Sequence, residues 1–330
     1  MADGEEFHND LRRASARRLR AEVLESLTIL DDRQSLRAIL QTLAWIVVTL
    51  TIALVTWTPW TVVPAVVIIA TQQHALFVLA HDAAHYRLFR NRRWNDACGR
   101  LIGALAGISM CSYRVIHRLH HNHLYGAEDP DIALHGGYPR GRAYLRRKIR
   151  ADLSGLSAWK TYRYFFGAPS LNTSTNIAAR PLDDTAPSLR KAALDDRRSV
   201  IVVQILLPLV MLAIGGWMAL LKYLVLWVVP ALSLLQAILR VRAIAEHGAP
   251  TDYHSPLTAA RTNLGHPLTR FVLFPHHVNY HIEHHLYPAV PHYRLPKLHA
   301  ALREHGLLDG AEVRTFRDAW RRVYADPVAR

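Results

Sequence analysis

Two long stretches without an acidic or basic residue constrain this 330-residue chain more than any other feature. No Asp, Glu, Lys or Arg occurs from Ala38 to Gln73, nor from Ser199 to Leu221. A single helix over the first stretch would be roughly 54 Å long, which exceeds the hydrocarbon core of a bilayer, about 30 Å thick. We therefore predict that this stretch folds back once, at the proline and tryptophan of residues 58–61.

The second apolar region repeats this plan. It begins near Ser199, is weakened by Gly215 and Gly216, and continues after Lys222 as far as Leu239. The pattern predicts an all-α integral membrane protein with four transmembrane helices, arranged as two hairpins, and a cytosolic helical cap. The alternative is a water-soluble protein with buried hairpins. We disfavour it because soluble helices rarely run so far without a charge.

Basic residues flank the apolar stretches, and the formal net charge is +14. The positive-inside rule therefore predicts that the N-terminus, the middle segment and the C-terminus face the cytoplasm. The segment before the first hairpin is charged and has no apolar core, so no cleavable signal peptide is expected. We expect one domain over residues 1–330: a basic cytosolic segment (1–37), a membrane hairpin (38–80), a cytosolic segment (81–198), a second hairpin (199–240) and a cytosolic segment (241–330).

Histidine is the unusual component of the sequence. The chain has 20 histidines and only 2 cysteines, so any metal chemistry would rely on nitrogen ligands. The histidines concentrate in three boxes, which read HDAAH at 81–85, HRLHH at 117–121 and HIEHH at 281–285. Within each box, spacings of three and four residues direct the imidazoles to one helical face. A further histidine follows the second apolar region. The candidate metal ligands are His81, His85, His117, His120, His121, His247, His281, His284 and His285.

These candidates are too many for one ion. A structural zinc site closes with about four ligands, so eight or nine imidazoles indicate two metal ions close together. Two hairpins would bring all three boxes and His247 to one side of the membrane, as a shared site requires. Imidazole suits zinc, copper, iron and nickel, so the ligand type leaves the metal open.

Other polar residues near the boxes receive lesser predictions. Asp82, Asp129 and Asn279 are candidates to orient ligand rings by accepting their second N–H. Glu283 is assigned a structural role, because box 3 lacks the H-E-x-x-H order of zinc peptidases. Of the remaining histidines, we predict that His74 lines a cavity, that His123, His276 and His277 are outer partners, and that His8, His135, His254, His266, His292, His299 and His305 are ordinary.

At these boxes the sequence resembles the membrane fatty acid desaturase and hydroxylase superfamily. HDAAHYRLF at 81–89, HRLHHNHLYGAEDPD at 117–131 and NYHIEHHLYP at 279–288 are similar to the forms found in acyl-lipid desaturases. The resemblance implies a four-pass protein whose cytosolic di-iron centre uses O2 and two electrons to oxidise an unactivated C–H bond of a lipid chain. It also implies that the nine histidines hold the iron and that no further catalytic residue is needed.

Two features depart from relatives within that superfamily. The acyl-CoA branch has an asparagine four residues before the ninth histidine, whereas this chain has Ala243. The chain also lacks the His-Pro-Gly-Gly haem motif of a fused cytochrome b5. The resemblance therefore implies a separate electron donor of the ferredoxin, rubredoxin or cytochrome b5 type. The basic surface would suit an acidic carrier or, equally, anionic lipid headgroups. No nucleic-acid partner is expected.

Three functions remain open at this point. We favour a fatty acyl desaturase. A hydroxylase of a carotenoid, sphingolipid or other lipid on the same scaffold is the nearest alternative, because both reactions begin with hydrogen abstraction. A metal transporter or sensor is the distant one. Ion transport would require a ladder of polar groups within the membrane, and the predicted spans offer mainly Gln41, His74 and Gln204.

Overall fold

The computed structural model describes residues 18–126, 128–167 and 186–325, which fold mostly into helices. Three arginines of the basic N-terminal segment, Arg12, Arg13 and Arg17, lie outside the described residues. The α-helices are α1 (Ala21–Thr28), α2 (Asp32–Thr56), α3 (Pro59–Ala84), α4 (Arg92–Ala106), α5 (Met110–Asn122), α6 (Ile132–His135), α7 (Gly141–Leu153), α8 (Ala158–Phe165), α9 (Pro187–Tyr223), α10 (Val229–Leu232), α11 (Leu234–His247), α12 (Pro256–Ala259), α13 (Pro267–Leu273), α14 (His281–Leu286), α15 (Leu295–Glu304) and α16 (Phe316–Val323).

Helices α2 and α3 form a hairpin with a very short connection. The chain leaves α2 through Trp57, which adopts a left-handed conformation with φ of 41°. Thr58 then caps α3 in a reciprocal arrangement with Thr61, and Pro59 occupies the first turn, where it breaks no hydrogen bond. The chain thus reverses in the segment for which the sequence predicts a break. Trp60 at this turn is 88% exposed.

The second apolar region is a nearly continuous helical stretch with one strong kink. In α9 the backbone leaves helical geometry at Gly215 and Gly216, and Gly216 combines φ of 62° with ψ of −158°. That combination is essentially restricted to glycine. A π-helical segment, Leu224–Val228, then joins α9 to α10 and α11.

Three helical stretches are long and apolar enough to cross a membrane: Asp32–Thr56, Pro59–Ala84 and Pro187–His247. The third contains 61 residues, which as a straight helix would extend about 90 Å, far beyond one bilayer. Four passes would require it to fold back at its glycine kink. The four-pass arrangement, the predicted orientation and the domain boundaries therefore stay predictions.

Helix α3 is the centre of the molecule. Its second half is buried on all sides, from Thr71 through Ala84, and it packs against α2, α4, α5 and α11. By contrast, α2 and α9 expose long rows of Leu, Ile and Val on their outer faces. Helix α3 runs from the apolar turn at Thr58 into the buried centre of the molecule. Its last turn, which contains the first histidine box, therefore lies where the shorter helices meet.

The shorter helices after α3 form a layer with small hydrophobic clusters of its own. One cluster joins Leu19 and Leu27 of the N-terminal segment to Ile282 and Leu298, next to box 3. The layer also contains a two-stranded parallel sheet, β1 (Thr262–Leu264) and β2 (Val313–Thr315), in which Thr262 pairs with Val313. Strands of three residues are too short to show an alternating pattern, so this sheet could not be predicted from the sequence.

The close approach of α4 to the last turn of α3 depends on Gly99. A Cβ atom at this position would lie 2.5 Å from the Cβ of Ala83 and 3.2 Å from Cε of Met110. We predict that Gly99→Ala lowers the free energy of unfolding by about 1–3 kcal/mol, because packed helices cannot absorb the extra methyl without shifting. The melting temperature of the detergent-solubilised protein measures this effect.

Gly265→Ala is the matched control, since a Cβ there meets nothing closer than 3.6 Å. Equal melting temperatures for the two variants would contradict the claimed contact between α4 and α3.

Candidate metal centre

Each histidine box lies at a defined place on a helix. Box 1 is the end of α3, where His81 occupies the last turn and His85 the position after it. Box 2 lies in the last two turns of α5, whose start is capped by the hydroxyl of Ser109. Box 3 is the short helix α14 itself, and His247 ends α11. Four separate helices therefore converge, and all nine predicted ligands meet in one buried region.

The nine rings form two groups. Within each group, one nitrogen from every ring lies within 4.8 Å of the others. The first group is His81, His85, His117, His121 and His284, and the second is His120, His247, His281 and His285. We had expected each H-x-x-H-H box to direct three nitrogens to one place, but both boxes divide between the groups. The groups touch, since the rings of His121 and His285 stack at 4.3 Å between centroids.

Distances within the groups match ligands around a cation. In the first group, Nε2 of His121 lies 3.0 Å from Nε2 of His117 and 2.9 Å from Nε2 of His284. In the second, Nε2 of His281 lies 2.8 Å from Nε2 of His247 and 3.2 Å from Nε2 of His285. Neighbouring nitrogens bound at about 2.1 Å to one ion are separated by about 3 Å.

The hydrogen bonds and the unpartnered nitrogens of the rings leave lone pairs that a cation could accept. The other ring nitrogen of His247, Nδ1, lies 3.2 Å from the carbonyl oxygen of Ala259, which accepts its proton and leaves Nε2 as a bare lone pair. In the first group, Nε2 of both His81 and His85 is buried without a hydrogen-bond partner. Lone pairs that face one another without protons repel, and a metal ion removes that repulsion. The residues present therefore fit a pair of nitrogen-ligated metal ions.

Burial keeps the rings neutral. It lowers the pKa of His117, His284 and His285 well below the ordinary value, and the neighbouring imidazoles lower it further. Neutral imidazole is the form that binds a metal. His120 differs: burial alone would lower its pKa, but the carboxylates of Asp129 and Asp131 outweigh burial and raise the pKa to about 9. Metal binding at His120 must therefore release a proton.

The predicted orienting residues divide into three cases. Asp129 contacts a candidate ligand: its Oδ1 lies 2.9 Å from Nδ1 of His120, so this prediction is confirmed. Asp82 lies 3.5 Å from Nδ1 of His81 but is held mainly by His292, whose Nδ1 is 2.6 Å away. Asn279 donates to the backbone of β1 and orients no box histidine, so that prediction was wrong.

Several residues predicted as ordinary or outer partners prove to be supports. Glu283 binds His299 and Thr262, in agreement with its structural assignment. The ring of His292 fixes Asp82, whereas His276 contacts Thr42 on α2. These contacts join distant parts of the chain, so local spacing could not have revealed them.

The sequence analysis did not place two residues that lie beside the second group. It did not consider Glu246, and its prediction that His135 is ordinary was wrong. Glu246 lies 3.7 Å from Nδ1 of His281 and is held by Arg242 at 2.8 Å. His135 packs its ring against His247 at 4.8 Å between centroids. The signals were present in the sequence, since Glu246 precedes His247 and His135 lies just beyond Asp129. Ala243 offers no polar group one turn before His247, and Glu246 is the carboxylate that approaches box 3 from this helix.

Comparison with known proteins agrees with this geometry. The family model for "Fatty acid desaturase" matches residues 56–317, which is most of the chain and includes every candidate ligand. The chain belongs to the fatty acid desaturase family. Its members are oxidoreductases, and the family depends on a di-iron centre. The resemblance drawn from the three boxes is therefore confirmed.

Characterised relatives of this family member carry out different reactions. The chain is 29% identical to dihydrorhizobitoxine desaturase of Bradyrhizobium elkanii, over 76% of this chain and 69% of that protein. It is 28% identical to a beta-carotene ketolase of Paracoccus sp. (strain PC1), over 67% and 72% respectively. It is 26% identical to an sn-1 oleoyl-lipid 12-desaturase of Synechocystis sp., over 74% and 70%. At these identities the family and the oxidoreductase class are shared.

The carboxylate of Asp129 gives a test of the second group. We predict that Asp129→Asn weakens metal retention about 10–100-fold, because the neutral amide stabilises the Nδ1 proton of His120 less well and the ring loses its fixed orientation. Metal per chain after dialysis against a chelator measures this. Asp195→Asn, on the exposed face of α9, is the control. Equal retention in both variants would remove Asp129 from a supporting role.

We predict that acidic pH removes bound metal ions from the two histidine groups. As pH falls, protons compete with the ion for the imidazole nitrogens. Burial lowers the pKa of His117, His121 and His284 well below the ordinary value, so we expect the first group to retain its metal through neutral pH and to lose it only in clearly acidic buffer. The second group contains His120, whose pKa is raised to about 9, so it should begin to lose metal at a higher pH than the first group. A titration of bound metal from about pH 8 to about pH 4 measures this. Loss of all bound metal above neutrality would contradict the assignment of the first-group rings as neutral ligands.

Proposed function

We propose that this protein is an O2-dependent di-iron desaturase that introduces a double bond into the fatty acyl chain of a lipid. The observation that carries the proposal is the convergence of nine imidazoles in two adjoining groups at the inner end of an apolar helix. In this proposal the nine histidines hold two iron ions, and a separate protein supplies electrons. The protein spans the membrane four times, with both termini and the histidine boxes on the cytoplasmic side.

The bound metals would supply the chemistry that amino acid side chains lack. Two iron ions at these groups would activate O2 and allow hydrogen to be removed from an unactivated methylene. The protein's own residues position the reactants. Asp129 holds the proton on Nδ1 of His120, and the carbonyl of Ala259 does the same for His247, so both rings are fixed in orientation.

An aromatic wall beside the first group supports an apolar substrate. Tyr113 stacks on the ring of His117 at 5.1 Å, and Phe165 contacts both Tyr113 and Phe77 at about the same separation. Phe77 lies one turn before His81 on α3, so the buried apolar helix leads directly to the first group. These side chains exclude water from the metal-facing rings and offer a surface to a hydrocarbon chain.

Oxygen insertion is the second candidate, because beta-carotene ketolases are among the relatives. A hydroxylase or ketolase of a carotenoid, sphingolipid or other lipid would use the same histidine groups. The two reactions separate by product mass, since desaturation removes two hydrogens and hydroxylation adds one oxygen. A metal transporter is disfavoured by membership in a family of oxidoreductases.

Expression in a host that lacks this activity tests the proposal. We predict a new unsaturated acyl chain in the total lipid, with the double bond located by gas chromatography and mass spectrometry. His120→Ala and His284→Ala remove one ring from each group, so both variants should lose the product at least about 100-fold while still inserting into the membrane. His305→Ala, at an exposed site, is the control.

A hydroxylated or ketonic product in place of the alkene would favour the second candidate. Normal product formation by either box variant would remove that residue from the metal centre.

A further inference from the structure

A row of aromatic rings, each in contact with the next, leads from the second histidine group to the protein surface. The ring of His135 lies 4.8 Å from the ring of His247, measured between centroids. Tyr125 follows at 4.8 Å from His135, and Tyr253 at 4.7 Å from Tyr125. His135 is buried, whereas Tyr253 is 49% exposed. Four rings in sequence thus connect a candidate metal ligand to solvent.

The inner members of this row, His135 and Tyr125, are held beside the second group but are not among the nine candidate ligands. Nε2 of the buried His135 lies 3.5 Å from Oδ2 of Asp129, the carboxylate that also contacts His120. Tyr125 donates its hydroxyl to the carbonyl oxygen of His247, and its backbone N–H donates to Asp129 at 2.9 Å. The second histidine group and its supporting carboxylate therefore fix Tyr125 against His135.

The loop that carries the exposed end of the row contacts a basic helix. Thr251, two residues before Tyr253, accepts a hydrogen bond from Arg322 of α16. Helices α16 and α7 together line a depression of about 920 Å³, with aromatic side chains on its walls. Its arginines are Arg140, Arg142, Arg317 and Arg321. We call these four arginines with Arg322 and Tyr253 the basic aromatic face.

Carboxylates near this face do not neutralise it. Asp318 lies 3.5 Å from Arg321, and Glu312 is buried against Arg322. Asp252 lies beside Tyr253 on the loop. Arg142 and Arg317 have no carboxylate partner among the described residues, and both are exposed. The basic aromatic face therefore keeps a net positive charge.

The proposed reaction requires such an entry point. Desaturation takes two hydrogens from the chain and reduces O2 to two water molecules, which consumes two further electrons and two protons. A one-electron carrier must deliver those electrons in two steps and is oxidised once in each. Electron transfer weakens steeply with distance, so a carrier must dock where a packed path leads to the metals.

We propose that the basic aromatic face is the docking surface for an acidic one-electron carrier protein, and that electrons pass from it through Tyr253, Tyr125 and His135 to the second histidine group. The inference rests on the proposed function, because only a metal oxidase needs this supply. Opposite charge guides the carrier and speeds its association. An anionic lipid headgroup would explain the arginines but not the aromatic row that begins beside them.

Binding tests the surface directly. The probe is a plant-type [2Fe–2S] ferredoxin, an acidic one-electron carrier, and its Kd is measured on the detergent-solubilised, metal-loaded protein. The double variant Arg142→Glu with Arg317→Glu should weaken binding at least about tenfold, and added salt should weaken wild-type binding. Both substitutions lie in the first turns of their helices, where an acidic residue favours the fold. Lys297→Glu, in the first turn of α15, is the matched control.

An unchanged Kd in the double variant would overturn the proposal. The same holds if the variant loses affinity only for phosphatidylglycerol vesicles, since the face would then bind lipid.

A second measurement tests the aromatic row. Reduced ferredoxin is mixed without O2 with the oxidised, metal-loaded protein, and its reoxidation is followed by absorbance at saturating ferredoxin. Tyr253→Ala opens a gap at the outer end and should slow the transfer at least fivefold, with metal content unchanged. Tyr253→Phe keeps the ring contact and should transfer at close to the wild-type rate. Equal rates for the Ala and Phe variants would exclude this path.

Neither readout depends on the lipid product. Failure of the proposed desaturation would appear as a different or missing product with ferredoxin binding intact, whereas failure of this inference would appear as unchanged binding and transfer in the variants.

Discussion

The crowding of nine imidazoles into one buried region is the constraint on which the rest of the structure depends. Pairs of Nε2 atoms face each other at 2.8–3.2 Å, and hydrogen bonds at Nδ1 leave lone pairs turned inward. The fold supplies the rings, and metal ions bound between them would remove the repulsion between these lone pairs and so stabilise this part of the fold.

The apolar helices position this region and, in our proposal, connect it to the substrate. Helix α3 runs through the centre of the molecule, passes Phe77 and delivers His81 and His85 to the first group. Gly99 allows α4 to pack directly on that last turn. In our proposal α3 leaves the membrane in this way, so that a hydrocarbon chain and a metal centre would meet without a polar gap between them. This continuity supports a lipid substrate more strongly than composition does.

The two histidine groups differ in their surroundings, and our proposal gives them different roles. The first group contacts the aromatic wall of Tyr113 and Phe165, whereas the second contacts Asp129, Glu246 and His135. In our proposal the substrate lies toward the first group and electrons arrive through the second. Boxes 2 and 3 each contribute rings to both groups. The two groups therefore do not correspond to separate boxes in the sequence.

The sequence by itself determined the helical class, the break between α2 and α3 and the identity of all nine converging histidines. Charge-free stretches and spacings of three and four residues are local properties, and local properties can be read along a chain. Only the tertiary structure decided how the boxes divide, that Asp129 rather than Asn279 supports a ring, and that His135 and Tyr125 continue the site outward. Those outcomes depend on contacts between helices far apart in sequence, for which no spacing rule exists.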